Sequence, residues 1–301
     1  MLYPLKFLPT TQPRLWGSES WMLSGVGGCE SLVESGALKG RTISDIVSTY
    51  GAELVGHANY ERFGNEFPLL IKFIDAKEDL SIQVHPNDEL AGVRHNSKGK
   101  NEMWYLVGVS DDARIRSGFS RQVTPEEYIQ SVADDTVCDI LQEYEAQKGD
   151  LFFLPAGRIH SIGGGCLIAE IQQTSDITYR IYDFNRRDKE GNLRELHTEL
   201  AVDAIDYAIE DDYRTEYDRE AKDKEVKMVD CPYFRTSILN LTQHYVVDYC
   251  QLDSFVIYVC VEGECEVNGV ELKFGETILL PATMEQVEIE TKGCKLLTTH
   301  I

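Results

Sequence analysis

Four residues of types that bind metal ions lie on short apolar segments of this chain. They are Gln83, His85, Glu102 and His160. Alternate residues of a β-strand face the same side, so one strand can present Gln83 and His85 to a common point. Mixed nitrogen and oxygen ligands admit Zn²⁺, Fe²⁺, Mn²⁺ or Co²⁺. We therefore predict a divalent metal site. The alternative is that Gln83 and His85 are ordinary hydrogen-bonded residues of a half-exposed strand.

Two cations and one hydroxyl are spaced to act beside such a metal. Lys100 lies two residues before Glu102, so an extended segment points both side chains to one face. Arg180 lies in the β-prone stretch 178–182, and Ser81 shares a strand face with the predicted ligands at 83 and 85. From residue type alone their roles stay open, because surface lysines, solvated strand arginines and water-facing serines are common.

The charge of the chain limits its partners. The chain has 301 residues, 43% of them apolar, and 29 Lys and Arg against 51 Asp and Glu give a formal net charge of −22. Such a charge opposes broad binding to nucleic acid or to an anionic membrane. An anionic ligand must therefore be held by a few local cations. The length allows one large or two moderate globular domains.

Neither a membrane span nor a secretion signal is predicted. No window approaches the length of apolar sequence that crosses a bilayer, and the first six residues lack the layout of a cleaved signal. The eight cysteines contain no CxxC pair, which is typical of reduced thiols. We therefore expect a cytoplasmic protein. Cys260 and Cys265 flank a Glu-Gly pair and are interpreted as cross-strand neighbours in a hairpin.

Periodicity and turn residues predict a mainly β chain with a few short helices. Helices are predicted up to Tyr50 after a cap at Thr42 or Ser44, over 125–132 after a Thr124 cap, and over 196–210, where apolar residues recur every three or four positions. Short strands broken by Gly, Pro and Asp favour antiparallel barrels or sandwiches over a doubly wound sheet.

The last part of the chain is also predicted to be β. The pair Asn268-Gly269 predicts a hairpin, and His300 is interpreted as a tail residue rather than a ligand. The charged stretch 211–227 reads as a solvated connector, so we predict one domain over residues 1–225 and a second over 226–301.

One short sequence motif occurs in both predicted domains. Residues 149–156 (GDLFFLPA) and 275–282 (GETILLPA) share a Gly-acidic start and a Pro-Ala end, which predicts a duplicated β-barrel. His160 follows the first copy, whereas no imidazole follows the second at 283–286. The active site is therefore expected in the first barrel.

The stretch from Gly149 to His160 resembles the second motif of the cupin barrels. Together with segments 18–21, 80–86, 100–105, 170–183 and 196–199, most of the chain resembles the type I mannose-6-phosphate isomerase family in its short bacterial form. The resemblance implies two cupin-like (jelly-roll) β-barrels, the first catalytic and the second degenerate. It also implies one Zn²⁺ per chain and a sugar phosphate substrate. The implied zinc ligands are Gln83, His85, Glu102 and His160.

The resemblance also suggests roles for the remaining candidates. The family interconverts mannose 6-phosphate and fructose 6-phosphate through an enediol. Arg180 is then expected to stabilise the enediolate or the phosphate, Lys100 to bind phosphate or transfer a proton, and Ser81 to hydrogen-bond substrate. Glu170 and Asp176 are candidates for the carbon base. The apolar flanks of Glu170 tend to raise the pKa of a carboxyl group, whereas Asp176 is equally well placed as a turn residue.

Two other functions stay open at this level. A non-catalytic sugar-phosphate-binding or regulatory cupin would keep the four ligands without needing Lys100 and Arg180. An iron cupin dioxygenase usually has more imidazoles at its metal.

The gap between Glu102 and His160 is too short for the helical domain of longer family members, so we expect the substrate cleft to be less enclosed. Both a monomer and a homodimer are compatible with the sequence.

Overall fold

The computed structural model describes residues 2–187 and 190–301, and within these ranges the chain is mainly β, as predicted. The helices are short: α1 (Ile43–Tyr50), α2 (Ala52–Val55), α3 (His57–Phe63), α4 (Asp88–His95), α5 (Pro125–Ala133) and α6 (Thr198–Val202). The strands of the first half are β1 (Leu5–Leu8), β2 (Thr10–Arg14), β3 (Gly17–Ser24), β4 (Leu32–Val33), β5 (Leu69–Ala76), β6 (Ile82–Val84), β7 (Glu102–Val109), β8 (Arg114–Phe119), β9 (Leu141–Glu145) and β10 (Leu151–Leu154). Those of the second half are β11 (His160–Ile162), β12 (Cys166–Gln173), β13 (Tyr179–Tyr182), β14 (Glu225–Asp230), β15 (Arg235–Leu241), β16 (Tyr245–Asp248), β17 (Val256–Val267), β18 (Val270–Lys273), β19 (Thr277–Leu280) and β20 (Gln286–His300).

Antiparallel pairing joins these strands into three sheets. A five-stranded sheet has the order β13-β6-β11-β8-β9, and a six-stranded sheet has the order β10-β7-β12-β5-β3-β2. A nine-stranded sheet follows β14-β15-β20-β17-β19-β1-β4, with β16 paired to β20 and β18 to β17. Among the described residues, no helix has the length and apolar character needed to cross a membrane.

One compact unit, here called the central unit, consists of Thr11–Glu19 and Phe73–Thr215. It contains the whole five-stranded sheet together with β7, β10 and β12. Two apolar clusters are buried in it, one that includes Trp104 and one that includes Tyr179. Every residue that the sequence suggested for metal binding or catalysis lies in the central unit.

The other compact unit, here called the terminal unit, combines Ser20–Lys72 and Glu216–Ile301 with strand β1. It contains the nine-stranded sheet and an apolar cluster that includes Tyr258 and Leu296. The predicted domains, 1–225 and 226–301, differ from these units mainly in residues 20–72, which the structure groups with the end of the chain.

Two of the three predicted helices are confirmed, and the third is present only in part. Thr42 caps α1 and Thr124 caps α5, each through a side-chain oxygen that accepts a backbone N–H. The predicted helix over 196–210 is reduced to α6. The N–H of Ile205 still donates to the carbonyl of Ala201 at 2.9 Å, but the N–H of Asp206 donates to the distant carbonyl of Gly157 at 2.8 Å and interrupts the helical pattern. Periodicity cannot detect such a competing hydrogen bond.

The predicted hairpin is present at β17 and β18. Asn268 and Gly269 have φ of 46° and 79°, the positive values that a tight two-residue hairpin requires. The interpretation of Cys260 and Cys265 as cross-strand neighbours is wrong, because both belong to β17, where the intervening residues form a bulge. His300 is the last residue of β20 rather than part of a tail.

The repeated segment has the same backbone pairing in both units. The N–H of Gly149 donates to the carbonyl of Leu106 at 2.8 Å, and the N–H of Gly275 donates to the carbonyl of Cys260 at 2.9 Å. The strand that follows each glycine, β10 or β19, then pairs antiparallel with β7 or β17. The similarity in sequence is therefore also a similarity in hydrogen bonding.

This correspondence shows how the second copy differs where a ligand would lie. Leu154 pairs with Glu102 in the first copy, and Leu280 pairs with Val256 in the second. Val256 is buried, so an apolar side chain occupies the place of the carboxylate. The terminal unit keeps the strand pairing and lacks the ligand.

Substitution of Gly118 in β8 tests whether the ring of Tyr213 packs directly against this strand. Its φ is +72°, and an added Cβ would lie 2.1 Å from the ring Cζ of Tyr213. We expect Gly118→Ala to lower the free energy of unfolding by about 3 kcal/mol, because it combines backbone strain with displacement of a buried ring. Urea denaturation measures this loss.

Gly191 supplies the matched control. Its φ is +87°, but nothing lies within 4 Å of an added Cβ. Gly191→Ala should therefore cost only the strain of the left-handed backbone, about 1 kcal/mol. Equal losses in the two variants would contradict a packing role for Tyr213.

Candidate metal centre and active site

Four neighbouring strands of the five-stranded sheet place a row of polar side chains on one face. Arg180 of β13 pairs with Gln83 of β6, Gln83 pairs with His160 of β11, and His160 pairs with Ser117 of β8. Directly opposed residues of antiparallel strands point to the same side. The register alone therefore groups Arg180, Gln83 and His160.

Ser117 completes this row and was missed by sequence reasoning. It is fully buried, and its Oγ has no hydrogen-bond partner among the described residues. A buried hydroxyl without a partner is unusual in a folded protein, so it marks a place where a bound group can be received. No local sequence signal distinguished Ser117, because only the strand register places it beside His160.

His85 follows β6 directly, and the segment before β7 brings Lys100 to it. The N–H of Lys100 donates to the carbonyl of Pro86 at 3.1 Å. The Nζ of Lys100 lies 3.1 Å from His85 Nε2 and 2.7 Å from Glu102 Oε2. All three side chains are buried. Lys100 and Glu102 are thus in contact, as their spacing predicts.

Both imidazoles are held by backbone carbonyls and turn the same nitrogen towards Glu102. His85 Nδ1 lies 2.9 Å from the carbonyl of Ile177, and His160 Nδ1 lies 2.8 Å from that of Arg158. Because a carbonyl only accepts, Nδ1 donates in both rings and Nε2 presents a lone pair. The Nε2 atoms of His85 and His160 lie 3.5 and 3.4 Å from the carboxylate oxygens of Glu102.

Burial and local charge fix the protonation states. Burial lowers the pKa of both imidazoles, that of His160 to about 3. Burial opposes the charge of Glu102, but the ammonium group of Lys100 outweighs it and holds the pKa of this carboxyl well below its usual range. Burial also opposes the charge of Lys100, but Glu102 and Glu170 keep its pKa raised. The site therefore contains neutral imidazoles, a carboxylate and an ammonium group.

The residues present fit a divalent metal ion. Ligand atoms of His85, Glu102 and His160 lie within 4.8 Å of one another, and no well-formed hydrogen bond from the described residues reaches either oxygen of Glu102. Gln83 Nε2 lies 3.3 Å from His160 Nε2, and a half-turn of this amide would present its oxygen instead. A cation would satisfy both the carboxylate and the imidazole lone pairs.

Trp104 connects the metal centre with Glu170. Its Nε1 donates to Glu170 Oε2 at 2.9 Å, and its ring meets that of His160 edge-on with centroids 5.1 Å apart. Glu170 is buried and acts electrostatically on Lys100. Sequence reasoning selected Glu170 for its apolar flanks and missed Trp104. The available signal was the alternation of β7, which points Trp104 to the same side as Glu102.

Arg180 is positioned by the segment that follows β13. Its N–H donates to His197 Nδ1 at 3.0 Å, and its Nη1 donates to the carbonyl of Glu195 at 2.9 Å. Burial lowers the pKa of Arg180, and the nearby Arg194 lowers it further. A second cation close to Arg180 was not foreseen from the sequence.

Arg186 and Arg194 form a cationic cluster with Arg180. Arg186 and Arg194 each pair with the buried carboxylate of Asp183. Burial opposes the charge of Asp183, but Arg194 and Arg186 hold its pKa below its usual value. Asp183 and Glu195 are the carboxylates that act electrostatically on Arg180, so three guanidinium groups outnumber two carboxylates here although the whole chain carries −22. This is the local cationic site that an anionic ligand requires.

Two further candidates lie at different depths. Ser81 is buried immediately before β6. Asp176 is exposed in the loop between β12 and β13, next to Ile177, whose carbonyl holds His85. Ser81 therefore lies next to the strand that carries Gln83. Asp176 lies at the surface, outside the buried group of Lys100, Glu102 and Glu170.

Known proteins of one family resemble the chain. A family model for the catalytic domain of type I phosphomannose isomerase matches residues 9–105. The mannose-6-phosphate isomerase ManA of Bacillus subtilis is 32% identical over 95% of this chain and 96% of its own length. The chain belongs to the type I phosphomannose isomerase family. The probable mannose-6-phosphate isomerase GmuF of the same organism is 30% identical over the full length of both chains.

Solved structures agree with this assignment. The crystal structure of the mannose 6-phosphate isomerase from Bacillus subtilis has a TM-score of 0.88 and 28% identity, and each chain is covered over 100% of its length. A putative mannosephosphate isomerase from Archaeoglobus fulgidus, 19% identical with a TM-score of 0.79 over 98% of this chain and 96% of that one, shares the fold. The predicted family and its cupin-type fold are thus confirmed.

Metal analysis tests the ligand set of this phosphomannose isomerase. We expect purified wild-type protein to bind one equivalent of divalent metal and Glu102→Gln to bind it at least about 100-fold more weakly, because the charged ligand is lost. Equilibrium dialysis followed by elemental analysis measures both.

Glu170→Gln is the matched control for metal binding. It removes another buried carboxylate of the central unit, one bound to Trp104 rather than facing the imidazoles. It should retain the metal. Equal loss of metal in the two variants would mean that Glu102 is not the ligand.

Proposed function

We propose that this protein interconverts mannose 6-phosphate and fructose 6-phosphate with one Zn²⁺ per chain. The observation that carries the proposal is the buried Glu102 carboxylate, which contacts Lys100 and faces two imidazole lone pairs. Family membership supports the sugar and the reaction. Mixed nitrogen and oxygen ligands suit zinc, which when bound polarises substrate oxygens at C1 and C2. The residues that would hold it are Gln83, His85, Glu102 and His160.

The reaction moves a proton between C2 and C1 of the open-chain sugar through an enediol. Lys100 keeps its ammonium charge because the neighbouring carboxylate of Glu102 raises its pKa, so it donates hydrogen bonds to substrate oxygens. We infer that the carbon base is a carboxylate that does not bind the metal. Glu170 suits this role, because it is buried, oriented by the indole of Trp104 and close to Lys100. The exposed Asp176 is the second candidate.

The phosphate or the enediolate is held, in this proposal, by Arg180 and its cationic neighbours. The Nε of Arg180 is buried and has no hydrogen-bond partner within the described part of the chain, so this donor is available to a substrate oxygen. Planar guanidinium groups bind phosphate oxygens in pairs, and Arg186 and Arg194 add charge. Ser81 is proposed to add a hydroxyl group from the strand that carries Gln83.

A coupled assay that follows fructose 6-phosphate formation tests the proposal. We expect turnover by the zinc-loaded protein and a fall in kcat/KM of about 10²- to 10³-fold in Arg180→Ala, because a preorganised donor to developing charge is lost. Arg121→Ala is the control, since Arg121 is exposed and pairs with Glu127 at the surface. Substrate binding without turnover in the wild type would instead support a regulatory sugar-phosphate-binding protein.

Kinetic constants separate the roles of Arg194 and Glu170. Arg194→Gln should raise KM for mannose 6-phosphate by about 10- to 100-fold, because a charge-assisted contact to phosphate is weakened, with a smaller effect on kcat. Glu170→Gln should lower kcat and leave KM within a few-fold of the wild type. The opposite pattern in the two variants would reverse the assignments of phosphate anchor and carbon base.

A further inference from the structure

A second group of possible metal ligands lies on the outer face of the nine-stranded sheet, in the terminal unit. Glu266 of β17 pairs with Glu290 of β20 and with Glu271 of β18. His244 directly precedes Tyr245, which pairs with Ile289, so His244 lies opposite Glu290 on the other side of β20. The backbone register thus aligns three carboxylates, on β18, β17 and β20, with the imidazole of the residue before β16.

The side chains at one end of this row approach closely. His244 Nε2 lies 2.9 Å from Glu288 Oε1 and 3.5 Å from Glu290 Oε1. Glu288 and Glu290 are two positions apart on β20 and therefore point to the same face. Ligand atoms of these three residues lie within 4.8 Å of one another. An imidazole and two carboxylates in this arrangement offer three of the ligands that a borderline divalent metal takes.

The charge around this row favours a cation. Glutamates directly opposite each other on neighbouring strands repel, and Glu266 faces a glutamate on both sides. Of these carboxylates, Glu271 has a cationic partner, Lys273 Nζ at 3.0 Å. A cleft of about 830 Å³ borders the row and is lined by Glu264, Glu266, Glu271 and Glu290 together with Lys292 and the half-exposed ring of Phe274.

We propose that His244, Glu288 and Glu290 form a second divalent-metal site, separate from the catalytic centre and accessible to solvent. Zn²⁺, Ni²⁺ and Co²⁺ are the ions that a ligand set of one imidazole and two carboxylates suits. A metal there would connect the turn before β16 to β20 and would neutralise part of the acidic row. All three side chains are exposed, so the site binds more weakly than the buried one.

Isothermal titration of untagged protein with Ni²⁺ tests this site after one equivalent of Zn²⁺ has filled the catalytic centre. We expect a second, weaker equivalent in the wild type. His244→Ala and Glu288→Gln should each weaken it about tenfold or more, since each removes one of three protein ligands. The readout is a stoichiometry, so it does not depend on catalysis.

His57→Ala and Glu285→Gln are the matched controls, because His57 and Glu285 are exposed residues of the same unit outside the ligand group. Both should keep the second equivalent. Absence of that equivalent in the wild type, or its retention in His244→Ala, or its equal loss in the controls, would overturn the proposal. Circular dichroism of each variant confirms that the strands are intact, so that a loss of binding reports on the ligands.

Discussion

The structure of the central unit depends on the burial of one carboxylate, that of Glu102. A charge removed from water costs on the order of several kcal/mol unless it is compensated. Lys100 Nζ at 2.7 Å supplies one compensating charge, and the imidazoles of His85 and His160 supply lone pairs that a metal ion would share with the carboxylate. Lys100 lies on the same segment as Glu102, whereas the two imidazoles come from two other segments, so the strand register has to bring them to the carboxylate.

The repeated segments of the central and terminal units have the same strand pairing but differ at the position of this carboxylate. Gly149 and Gly275 make equivalent backbone hydrogen bonds, so the strand pairing around the repeated motif does not depend on a metal ligand. Where the first copy has Glu102, the second has the buried Val256. A buried apolar side chain needs no compensating charge. The two copies therefore share their strand pairing, and the buried carboxylate is found in the first copy.

Much of the site could be predicted from the sequence, because period-two spacing is a local property. The contact of Lys100 with Glu102 followed from such spacing, and the caps at Thr42 and Thr124 were equally local. Ser117 could not be found in this way, since only the pairing of β8 with β11 places it beside His160. The helix expected over 196–210 is shorter for a similar reason, because the N–H of Asp206 donates to the carbonyl of Gly157 in a distant segment.

The most direct test of the account is to locate the metal ion itself. Crystals grown with Zn²⁺ and measured at the zinc absorption edge would give an anomalous difference map. We expect the strongest peak within coordination distance of His85 Nε2, His160 Nε2 and a Glu102 oxygen, at about 2.0–2.2 Å. A map with no peak there, with His85 and His160 still turned towards an unoccupied Glu102, would contradict it.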